Sequence, residues 1–516
     1  MYHQSIPLHK TNAFSSLLLD YISEEIHFDE FIDYQPSKQG LKEAIDDWTF
    51  EDDKRELLVS SLQKQNRSKS DKVKENIALL AQKNTYTVTT GHQLNLATGP
   101  LYFIYKIVST IKLAQKLKEE FPEKEFVPIY WMASEDHDFE EINHFHLFGQ
   151  THQWHTEQRG AVGTFHLNDI EDCFKTLKEE IEILSVYHSS KNLSEATRAL
   201  VDSLFEDKGL LCLDANDKAL KRSFLPVLKD ELKTQHSFSL VEEQSKKLTK
   251  QGYKKQVNPR EVNLFYIEDG LRERLVVEQG QVKVVNTSLS WSLDDALTFF
   301  EEYPQRLSPN VILRPLYQQS ILPNICYLGG GGELAYWFQL KTLFHFYGQK
   351  VPVLLPRNTA TIIPKTLHKK IKQLGWSTEE LFASIETLKK KVMATNGKAN
   401  NLLAQESSAF EQLFETLKTK VGTSEKTLVP AVEGEKKKLI KWLQKLENRL
   451  EKEEEKKYAQ QMALVESIKS KLFPKGKLQE RNDNFLNFYI NHPMFIHDLF
   501  EAFDPLSFEM NVLYLT

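Results

Sequence analysis

An apolar, β-prone segment that ends abruptly in charged and imidazole side chains is the feature that most restricts how this chain can fold. The segment is Phe126–Met132, and the titratable residues that follow it are Glu135, Asp136, His137, Asp138, Glu140, Glu141, His144 and His146. In α/β proteins, ligands bind beyond the carboxyl ends of buried parallel strands. The pattern therefore predicts an α/β fold with chemistry at this strand end. A solvated acidic loop that caps the next helix is the alternative.

The cluster of titratable residues has several chemical uses. Side-by-side acids repel one another unless a cation, a proton or a ligand offsets their charge. The candidate catalytic residues Glu135, Asp136, His137 and Asp138 could bind Mg²⁺, act as a general base or hold an ammonium group. His144 and His146 resemble metal ligands, but they also fit one face of a strand. Because no cysteine ligand accompanies them, we assign no metal-binding residue and predict no zinc.

Composition excludes several classes of protein. The chain has 516 residues, of which 41% are hydrophobic, so it holds enough apolar material for several domains. Its 66 basic and 72 acidic residues give a net charge of −6, which predicts no general attraction to nucleic acid. The three cysteines are far apart in sequence, as expected in a reducing cytosol. Without a signal-peptide pattern or an apolar run of about 18–20 residues, we expect a soluble, cytoplasmic protein.

A strand–loop–helix unit precedes the apolar segment Phe126–Met132. Tyr86–Thr90 is β-prone, a glycine-containing loop follows, and Leu101–Phe121 has helical periodicity. Two strands separated by a helix predict a parallel pair with a right-handed crossover. A glycine turn before a helix lets a phosphate approach the backbone, although an ordinary turn is the alternative. The candidate nucleotide-binding residues here are Thr90, Gly91, Gln93, Gly99 and Tyr102. His92 is a further candidate catalytic residue, since it could donate a hydrogen bond to developing charge.

Further candidates lie after residue 300. A predicted strand, Val311–Arg314, ends in an arginine that suits carboxylate or phosphate recognition but could equally pair with an acid. Gly329, Gly330, Gly331 and Gly332 then open a predicted helix, Glu333–Tyr347. Four glycines are costly in backbone entropy and predict close ligand contact. The other candidate substrate-binding residues are Lys106, Glu333 and Arg357, the last of which follows a predicted strand, Val351–Leu355.

Three regions are predicted from these patterns. Residues 1–375 form a Rossmann-like core, and a lobe is inserted at about 150–300. Within this lobe the β-prone pieces are Val162–Leu167, Val262–Ile267, Arg274–Glu278 and Gln281–Asn286. Residues 376–475 carry apolar side chains at heptad-like spacing, which predicts an antiparallel helical hairpin or an α-helical coiled coil. An uninterrupted helix is expected over Glu435–Leu472. Residues 476–516 are expected to return to the core.

Five segments, in order, resemble one known family. They are TGHQLNLATGPLYFIYKI, FVPIYWMASEDHDFEEINH, LSPNVILRPLYQQSILPNICYLGGGGELAYWFQLK, PVLLPRNTAT and FPKGKLQERNDNF. Together they closely resemble the BshC family, the cysteine-adding enzymes of bacillithiol biosynthesis. The resemblance implies a core like those of nucleotidylyltransferases and class I aminoacyl-tRNA synthetases, with connecting-peptide insertions. It also implies a coiled coil that mediates homodimerisation.

The resemblance implies a reaction as well. Cysteine would be joined to the amine of glucosaminyl-malate (GlcN-Mal), with ATP activating the cysteine carboxylate. The loop containing Gly91, His92 and Gly99 would line the phosphate path, the acidic cluster would supply a base, and Arg314 or Arg357 would hold the malyl carboxylates. The family usually has glutamine where this chain has His92, and no lysine loop of the KMSKS type is evident.

Two other functions fit the sequence. One is a nucleotide- or metabolite-binding regulator that recruits a partner through its coiled coil, since a fold does not prove catalysis. The other is a tRNA-associated helper. The stretch 435–457 has nearly as many glutamates as lysines, which argues against a nucleic-acid-binding stripe.

Overall fold

The computed structural model describes residues 2–23, 28–66, 70–177, 180–395 and 403–515. The chain divides into two compact units. The first unit comprises Met1–Thr361 and Lys477–Leu513, and the second comprises Ile362–Gly476 and Tyr514–Thr516.

The strands of the described residues are, in chain order, β1 (Tyr2–Pro7), β2 (Thr85–His92), β3 (Glu125–Met132), β4 (His144–Leu147), β5 (Gln150–Gln153), β6 (Leu211–Asp214), β7 (Leu264–Glu268), β8 (Leu271–Glu278), β9 (Gln281–Val284), β10 (Ser290–Ser292), β11 (Leu307–Pro309), β12 (Asn324–Gly329), β13 (Val353–Pro356), β14 (Thr359–Ile363) and β15 (Glu509–Tyr514).

The α-helices of the described residues are α1 (Ser16–Ser23), α2 (Lys38–Asp47), α3 (Asp52–Gln65), α4 (Asp71–Leu79), α5 (Tyr102–Glu120), α6 (Phe139–Ile142), α7 (Ile170–Phe174), α8 (Val186–Ser189), α9 (Leu193–Phe205), α10 (Lys218–Thr234), α11 (His236–Lys250), α12 (Leu293–Glu302), α13 (Arg314–Ile321), α14 (Gly331–Trp337), α15 (Lys341–Phe346), α16 (Lys365–Leu374), α17 (Ile385–Thr395), α18 (Ala404–Ser424), α19 (Val429–Lys457), α20 (Ala459–Leu472), α21 (Leu486–Tyr489) and α22 (Phe495–Ala502).

A five-stranded parallel sheet organises the first unit. Its order is β13-β12-β2-β3-β6, and each neighbouring pair is parallel. From β2 the chain adds β3 and β6 on one side, whereas β12 and β13 lie on the other side. The order therefore reverses between β2 and β12, which is where open α/β sheets bind ligands. This arrangement confirms the predicted Rossmann-like fold.

The centre of the sheet follows from the sequence. β2 and β3 are buried along almost their whole length, and their register pairs Thr85 with Glu125 and His92 with Met132. The Thr90 hydroxyl donates to the Leu328 carbonyl at 2.8 Å and ties β2 to β12. α5 packs against β2 and β3. The two predicted strands, the helix between them and their parallel pairing are therefore confirmed.

Two predicted strands are wrong. Val311–Arg314 is a turn that leads into α13, because the Asn310 side chain accepts from Ile312 N at 2.9 Å and proline at position 315 favours the first helical turn. Val162–Leu167 contains a 3₁₀ turn instead of a strand. Here Gly163 N donates to Ser134 O at 2.9 Å, and this close approach has no space for a Cβ atom.

The predicted helix Glu333–Tyr347 is interrupted. It forms α14 and α15, which are separated by residues 338–340. At the interruption the buried side chain of Gln339 accepts from the backbone N–H groups of Gln256 and Val257, at 2.9 and 3.0 Å. The chain therefore breaks the helix where Gln339 anchors a loop of the inserted region.

The inserted region carries its own antiparallel sheet, in the order β10-β9-β8-β7-β11. Of the β-prone pieces predicted there, the last three correspond to β7, β8 and β9. β11, which follows the region, completes this sheet by pairing Ser308 with Phe265. This antiparallel sheet is called the lobe sheet below.

The second unit is helical, and the predicted helical hairpin is confirmed. α18 and α19 pack against each other, and ion pairs join Lys418 to Glu433 and Lys436 to Glu415. The predicted uninterrupted helix over 435–472 is broken at Tyr458, which separates α19 from α20. Residues 396–402 of the predicted coiled coil lie outside the described residues. Within the described ranges, none of the helices is both long enough and apolar enough to cross a bilayer.

A loop with left-handed backbone is held by the C-terminal segment of the first unit. Ala97, Thr98 and Gly99 have φ values of 49°, 69° and 64°. The fully buried Asn484 side chain donates to Ala97 O at 2.7 Å and to Gly99 O at 2.6 Å. Glycine adopts positive φ readily, but Ala97 and Thr98 are strained there unless their surroundings fix them. Asn484 therefore supports the loop that leads into α5.

Replacing Asn484 by alanine should loosen this loop selectively. Two buried carbonyls would lose their donor, which costs about 2–4 kcal/mol. Hydrogen exchange followed by mass spectrometry should show faster exchange in peptides that cover residues 94–104. Alanine at the exposed Asn491 is the control. Unchanged protection of these peptides in Asn484→Ala would contradict the assignment.

Candidate functional site

A cleft of about 730 Å³ opens at the carboxyl ends of β2, β3 and β12. It lies at the point where the strand order reverses, and residues of the lobe sheet and of the C-terminal segment also line it. The predicted site residues that line this cleft are Gly91, His92, Gln93, Tyr102, Lys106, Glu135, Asp136, Arg314, Gly330, Gly332, Glu333 and Arg357.

Six predicted site residues do not line the cleft. They are Thr90, Gly99, His137, Asp138, Gly329 and Gly331. Thr90 is a sheet contact and Gly99 is held by Asn484, as described above. The His137 ring is half exposed and its Nδ1 lies 2.8 Å from Arg272 Nη1, whereas Asp138 precedes α6 and is exposed. Thr90 and Gly99 therefore shape the backbone around the cleft. Of the acidic cluster, only Glu135 and Asp136 of the predicted residues line the cleft.

The glycine run has two different explanations. A Cβ atom on Gly329 would lie 3.1 Å from side-chain atoms of Tyr327 and Glu333, and one on Gly331 would lie 3.1 Å from Leu18. Packing inside the protein favours glycine at these two positions. Gly330 and Gly332 line the cleft, and the closest atoms to their added Cβ atoms would be 3.5 and 3.8 Å away. Only this second pair leaves backbone accessible to a ligand.

An ion pair between a buried lysine and a partly exposed glutamate spans the two sides of the cleft. Lys106 Nζ, from α5, lies 2.5 Å from Glu333 Oε1 of α14, and it also donates to Gly91 O at 2.7 Å. Glu333 accepts further hydrogen bonds from the Tyr327 hydroxyl at 2.8 Å and from Gly330 N at 3.2 Å. Burial raises the pKa of Glu333, but the Lys106 ammonium and these donors outweigh it and lower the pKa. The carboxylate is therefore ionised at neutral pH.

His92, at the end of β2, is a neutral imidazole. Its ring packs against Tyr102 and Phe103, with centroids 5.3 and 5.1 Å away. Burial, together with the charges of Lys106 and Arg357, lowers the pKa of His92 well below its usual value. Its Nε2 is buried and has no hydrogen-bond partner among the described residues. A buried polar atom without a partner at a cleft is typical of a position that a ligand completes.

Asp136, after β3, is an ionised carboxylate. It accepts from Gln93 Nε2 at 2.8 Å and from His137 N at 2.7 Å. Burial raises the pKa of Asp136, but the hydrogen bonds from His137 and Gln93 and the charge of Arg272 hold that pKa well below its ordinary value. A carboxylate with so low a pKa is a weak base and a good partner for a cation.

Glu135 is neutralised inside the protein. It is buried and forms an ion pair with Lys221, which is fully buried on α10. It also accepts from the Ser308 hydroxyl of the lobe sheet at 3.2 Å. Glu135 therefore joins the end of β3 to the lobe, and its negative charge is matched before any ligand binds.

The two arginines predicted to bind carboxylates already have partners. Arg314 donates to the Tyr336 hydroxyl at 2.6 Å and to Gln318 Oε1 at 3.2 Å. Arg357 forms a buried two-point ion pair with Glu480, at 2.7 and 3.2 Å. Both guanidiniums therefore have part of their donor capacity taken up within the protein.

Several cleft residues were missed in the sequence. Four of them are arginines: Arg260, Arg272, Arg274 and Arg481. Arg481 lies in the family-like segment FPKGKLQERNDNF, and Arg274 opens a predicted strand. The sequence patterns therefore indicate these two segments but do not mark their arginines as site residues. No pattern in sequence links either residue to β2, because their proximity depends on the tertiary fold.

No group of three or more His, Cys, Asp or Glu residues in the described part of the chain is arranged to hold a metal ion. Two carboxylates nevertheless approach each other in the cleft. Gln93 Nε2 donates to Asp136 Oδ2 at 2.8 Å and to Glu141 Oε2 at 3.0 Å. Mg²⁺ in nucleotide sites commonly uses one or two carboxylates together with phosphate oxygens, and this pair fits that requirement.

The fold and the cleft define a Rossmann-like α/β protein with a candidate ligand-binding cleft at the switch point of its sheet. Two family models match the chain: the BshC N-terminal Rossmann-like domain of bacillithiol biosynthesis over residues 1–358, and the BshC C-terminal coiled-coil domain over residues 360–515. The chain therefore belongs to the BshC family of bacillithiol biosynthesis.

Relatives of similar length support this membership. A protein of Flavobacterium psychrophilum named “Putative cysteine ligase BshC” is 40% identical, and the match covers 98% of both chains. A protein of the same name from Cytophaga hutchinsonii is 37% identical over 99% of this chain and 98% of the relative. A third, from Flavobacterium johnsoniae, is 40% identical over 97% of both chains.

Removing the carboxylate that pairs with the buried Lys106 should destabilise the first unit. Glu333→Gln leaves the Lys106 charge without its carboxylate, which should lower the free energy of unfolding by about 3–5 kcal/mol. Urea unfolding followed by tryptophan fluorescence measures this change. Glu120→Gln, which breaks the exposed pair with Lys38, is the control and should cost at most about 1 kcal/mol. Equal effects of the two substitutions would contradict the assignment.

The low pKa of His92 predicts a pH-dependent loss of stability. Below about pH 6.5 the unfolded chain binds a proton at this residue and the folded chain does not, so stability is complete above that pH and declines below it. The loss between pH 7.5 and 5.5 is on the order of 1 kcal/mol. The stability difference between wild type and His92→Gln should shift by this amount between pH 7.5 and 5.5. A pH-independent difference would show that His92 titrates normally.

Proposed function

We propose that this protein is a ligase that joins the carboxylate of L-cysteine to the amine of GlcN-Mal. Two findings support the proposal: membership of the BshC family, and a cleft at the sheet's switch point with both anion-binding and cation-binding components. The unpartnered Nε2 of His92 is the single observation that carries the assignment of this cleft as the site.

Amide formation from a carboxylate requires activation, and we propose ATP as the co-substrate that supplies it. The end of β2 and the N-terminus of α14 are suited to phosphate groups, since glycine backbone at Gly91, Gly330 and Gly332 borders the cleft. His92 would donate from Nε2 to a phosphate or to the developing charge. If Mg²⁺ accompanies the nucleotide, Asp136 and Glu141 are the carboxylates that would hold it.

Asp136 has a defined electrostatic task in this proposal. Its low pKa makes proton abstraction inefficient at neutral pH, so we assign it to binding positive charge instead. That charge would be Mg²⁺ or the ammonium group of a substrate. The neutral imidazole of His92 is less suited to this task because Lys106 and Arg357 lie close to it.

We further propose that the second unit mediates homodimerisation. Large apolar side chains on the α18–α19 hairpin are exposed in the single chain, among them Leu413, Leu417 and Trp442. Exposed apolar seams on long helices are typical of surfaces that pair with another helix. We place the reaction in the cytoplasm, where a thiol substrate and the three free cysteines of this chain stay reduced.

Replacing Asp136 by asparagine tests the proposal. In cells that lack this gene, wild type should restore bacillithiol and Asp136→Asn should lower it at least about tenfold, because the neutral amide loses a charge-assisted contact. Mass spectrometry of thiols and of GlcN-Mal measures both quantities. The matched control is Asp138→Asn, since this neighbouring carboxylate is exposed and outside the cleft. It should restore bacillithiol fully.

Two results would contradict parts of the proposal. An unchanged thiol pool in cells that lack the gene would rule out cysteine addition as the function and would favour a metabolite-binding regulator. Full restoration by Asp136→Asn, with loss of function in Asp138→Asn, would place the chemistry on the exposed side of the acidic cluster.

A further inference from the structure

The cleft has an excess of positive charge. Its lining residues include seven cationic side chains, of Lys106, Arg260, Arg272, Arg274, Arg314, Arg357 and Arg481, but four acidic ones, of Glu135, Asp136, Glu141 and Glu333. The whole chain, by contrast, has a net charge of −6. A concentration of cations in one cleft of an acidic protein attracts anionic ligands.

Most of the cations that lie deep in the cleft have partners. Lys106 is paired with Glu333, Arg357 with Glu480, and Arg314 with Tyr336, as described above. Arg272 contacts His137 and lies over the Phe265 ring, with its guanidinium carbon 3.9 Å from the centroid. The guanidiniums of Arg260, Arg274 and Arg481, in contrast, have no partner among the described residues and are exposed to the cleft.

The lobe sheet fixes the direction of Arg274. Arg272 and Arg274 are two residues apart on β8 and therefore lie on the same face. In the register, Arg274 is opposite Phe265, and Phe265 is opposite Ser308 on β11. Ser308 donates to Glu135, so this row of side chains is attached to the end of β3. Arg274 is consequently held on the face that meets the cleft.

A buried polar network fixes the backbone of Arg260. The side chain of the fully buried Asn263 accepts from Arg260 N at 3.0 Å and donates to Arg260 O at 2.7 Å. Asn263 is itself held by the buried Glu231, whose Oε1 accepts from Asn263 N at 2.8 Å. An exposed arginine with both backbone groups clamped by a buried side chain is positioned before any ligand arrives, which reduces the entropy lost on binding.

Arg481 belongs to the other side of the cleft. Its charge acts on the Tyr102 hydroxyl, close to His92 and α5. It therefore lies near the proposed nucleotide position, whereas Arg260 and Arg274 both belong to the inserted region.

We propose that Arg260 and Arg274 recognise the acceptor substrate by binding its two carboxylates. This inference rests on the proposed function, in which the acceptor carries a malyl group with two such groups. Guanidinium groups form strong two-point hydrogen bonds with carboxylates, and two unpaired arginines match the two negative charges. The inserted region then selects a dicarboxylate acceptor, and Arg314 and Arg357 serve to shape the floor of the cleft.

Calorimetric titration of the full chain with GlcN-Mal tests this assignment without requiring catalysis. Arg260→Gln and Arg274→Gln should each raise the Kd at least about tenfold, and the double variant should raise it further. Binding of cysteine should not change. A methyl glucosaminide that lacks the malyl group should bind weakly and equally to all of these proteins. Arg222→Gln, on the exposed side of α10 and outside the cleft, is the matched control.

The outcomes separate this inference from the proposed function. In one outcome, wild type binds GlcN-Mal and the glutamine variants do not, but no amide forms with any nucleotide. The inference then stands and the ligase function fails. If wild type forms the amide and the double variant binds GlcN-Mal within about twofold of wild type, the inference is overturned and the function stands. No binding by wild type at millimolar GlcN-Mal also overturns it.

Loss of binding in these variants must be distinguished from a folding defect. Arg260→Lys and Arg274→Lys keep the charge and remove the two-point geometry, so they should bind GlcN-Mal with intermediate Kd values. Circular dichroism and thermal unfolding should match wild type in all variants. Lysine variants that bind as tightly as wild type would show that charge alone suffices, and would overturn the two-point contact with carboxylate.

Discussion

The ion pair between Lys106 and Glu333 is the interaction on which the geometry of the cleft depends. It joins α5, which follows β2, to α14, which follows β12, and these two strands are the pair between which the sheet reverses its order. Lys106 also binds the carbonyl of Gly91 at the end of β2. Since a buried charge is costly without its partner, the two loops that border the crevice are fixed relative to each other.

The C-terminal segment of the first unit completes the same site from a distant part of the sequence. Glu480 is fully buried, pairs with Arg357 and accepts from the Thr359 hydroxyl at 2.6 Å. Four residues later, Asn484 binds the left-handed loop before α5. One short stretch therefore supports two different loops of the cleft, which explains why a segment more than a hundred residues after β13 packs with the Rossmann-like core.

The inserted region contributes the remaining wall, and it is attached by an ion pair and a hydrogen bond as well as by apolar packing. Glu135, at the end of β3, is ion-paired with Lys221 and hydrogen-bonded to Ser308 of the lobe sheet. The same strand end supplies Asp136, whose low pKa keeps a negative charge in a cleft where cationic side chains outnumber acidic ones. The carboxylate of Asp136 is thus held in the same cleft as several arginines.

The sequence by itself determined the parallel strands β2 and β3, the helix between them, the helical hairpin and most of the loops that reach the cleft. Apolar runs and helical periodicity are local signals, and they predicted these elements without knowledge of their neighbours. Tertiary structure decided which side chains are available: Arg314 and Arg357 are occupied by Tyr336 and Glu480, while Arg260 and Arg274 are not. Whether a charged group is free depends on partners that folding brings from distant positions, and no local pattern encodes that pairing.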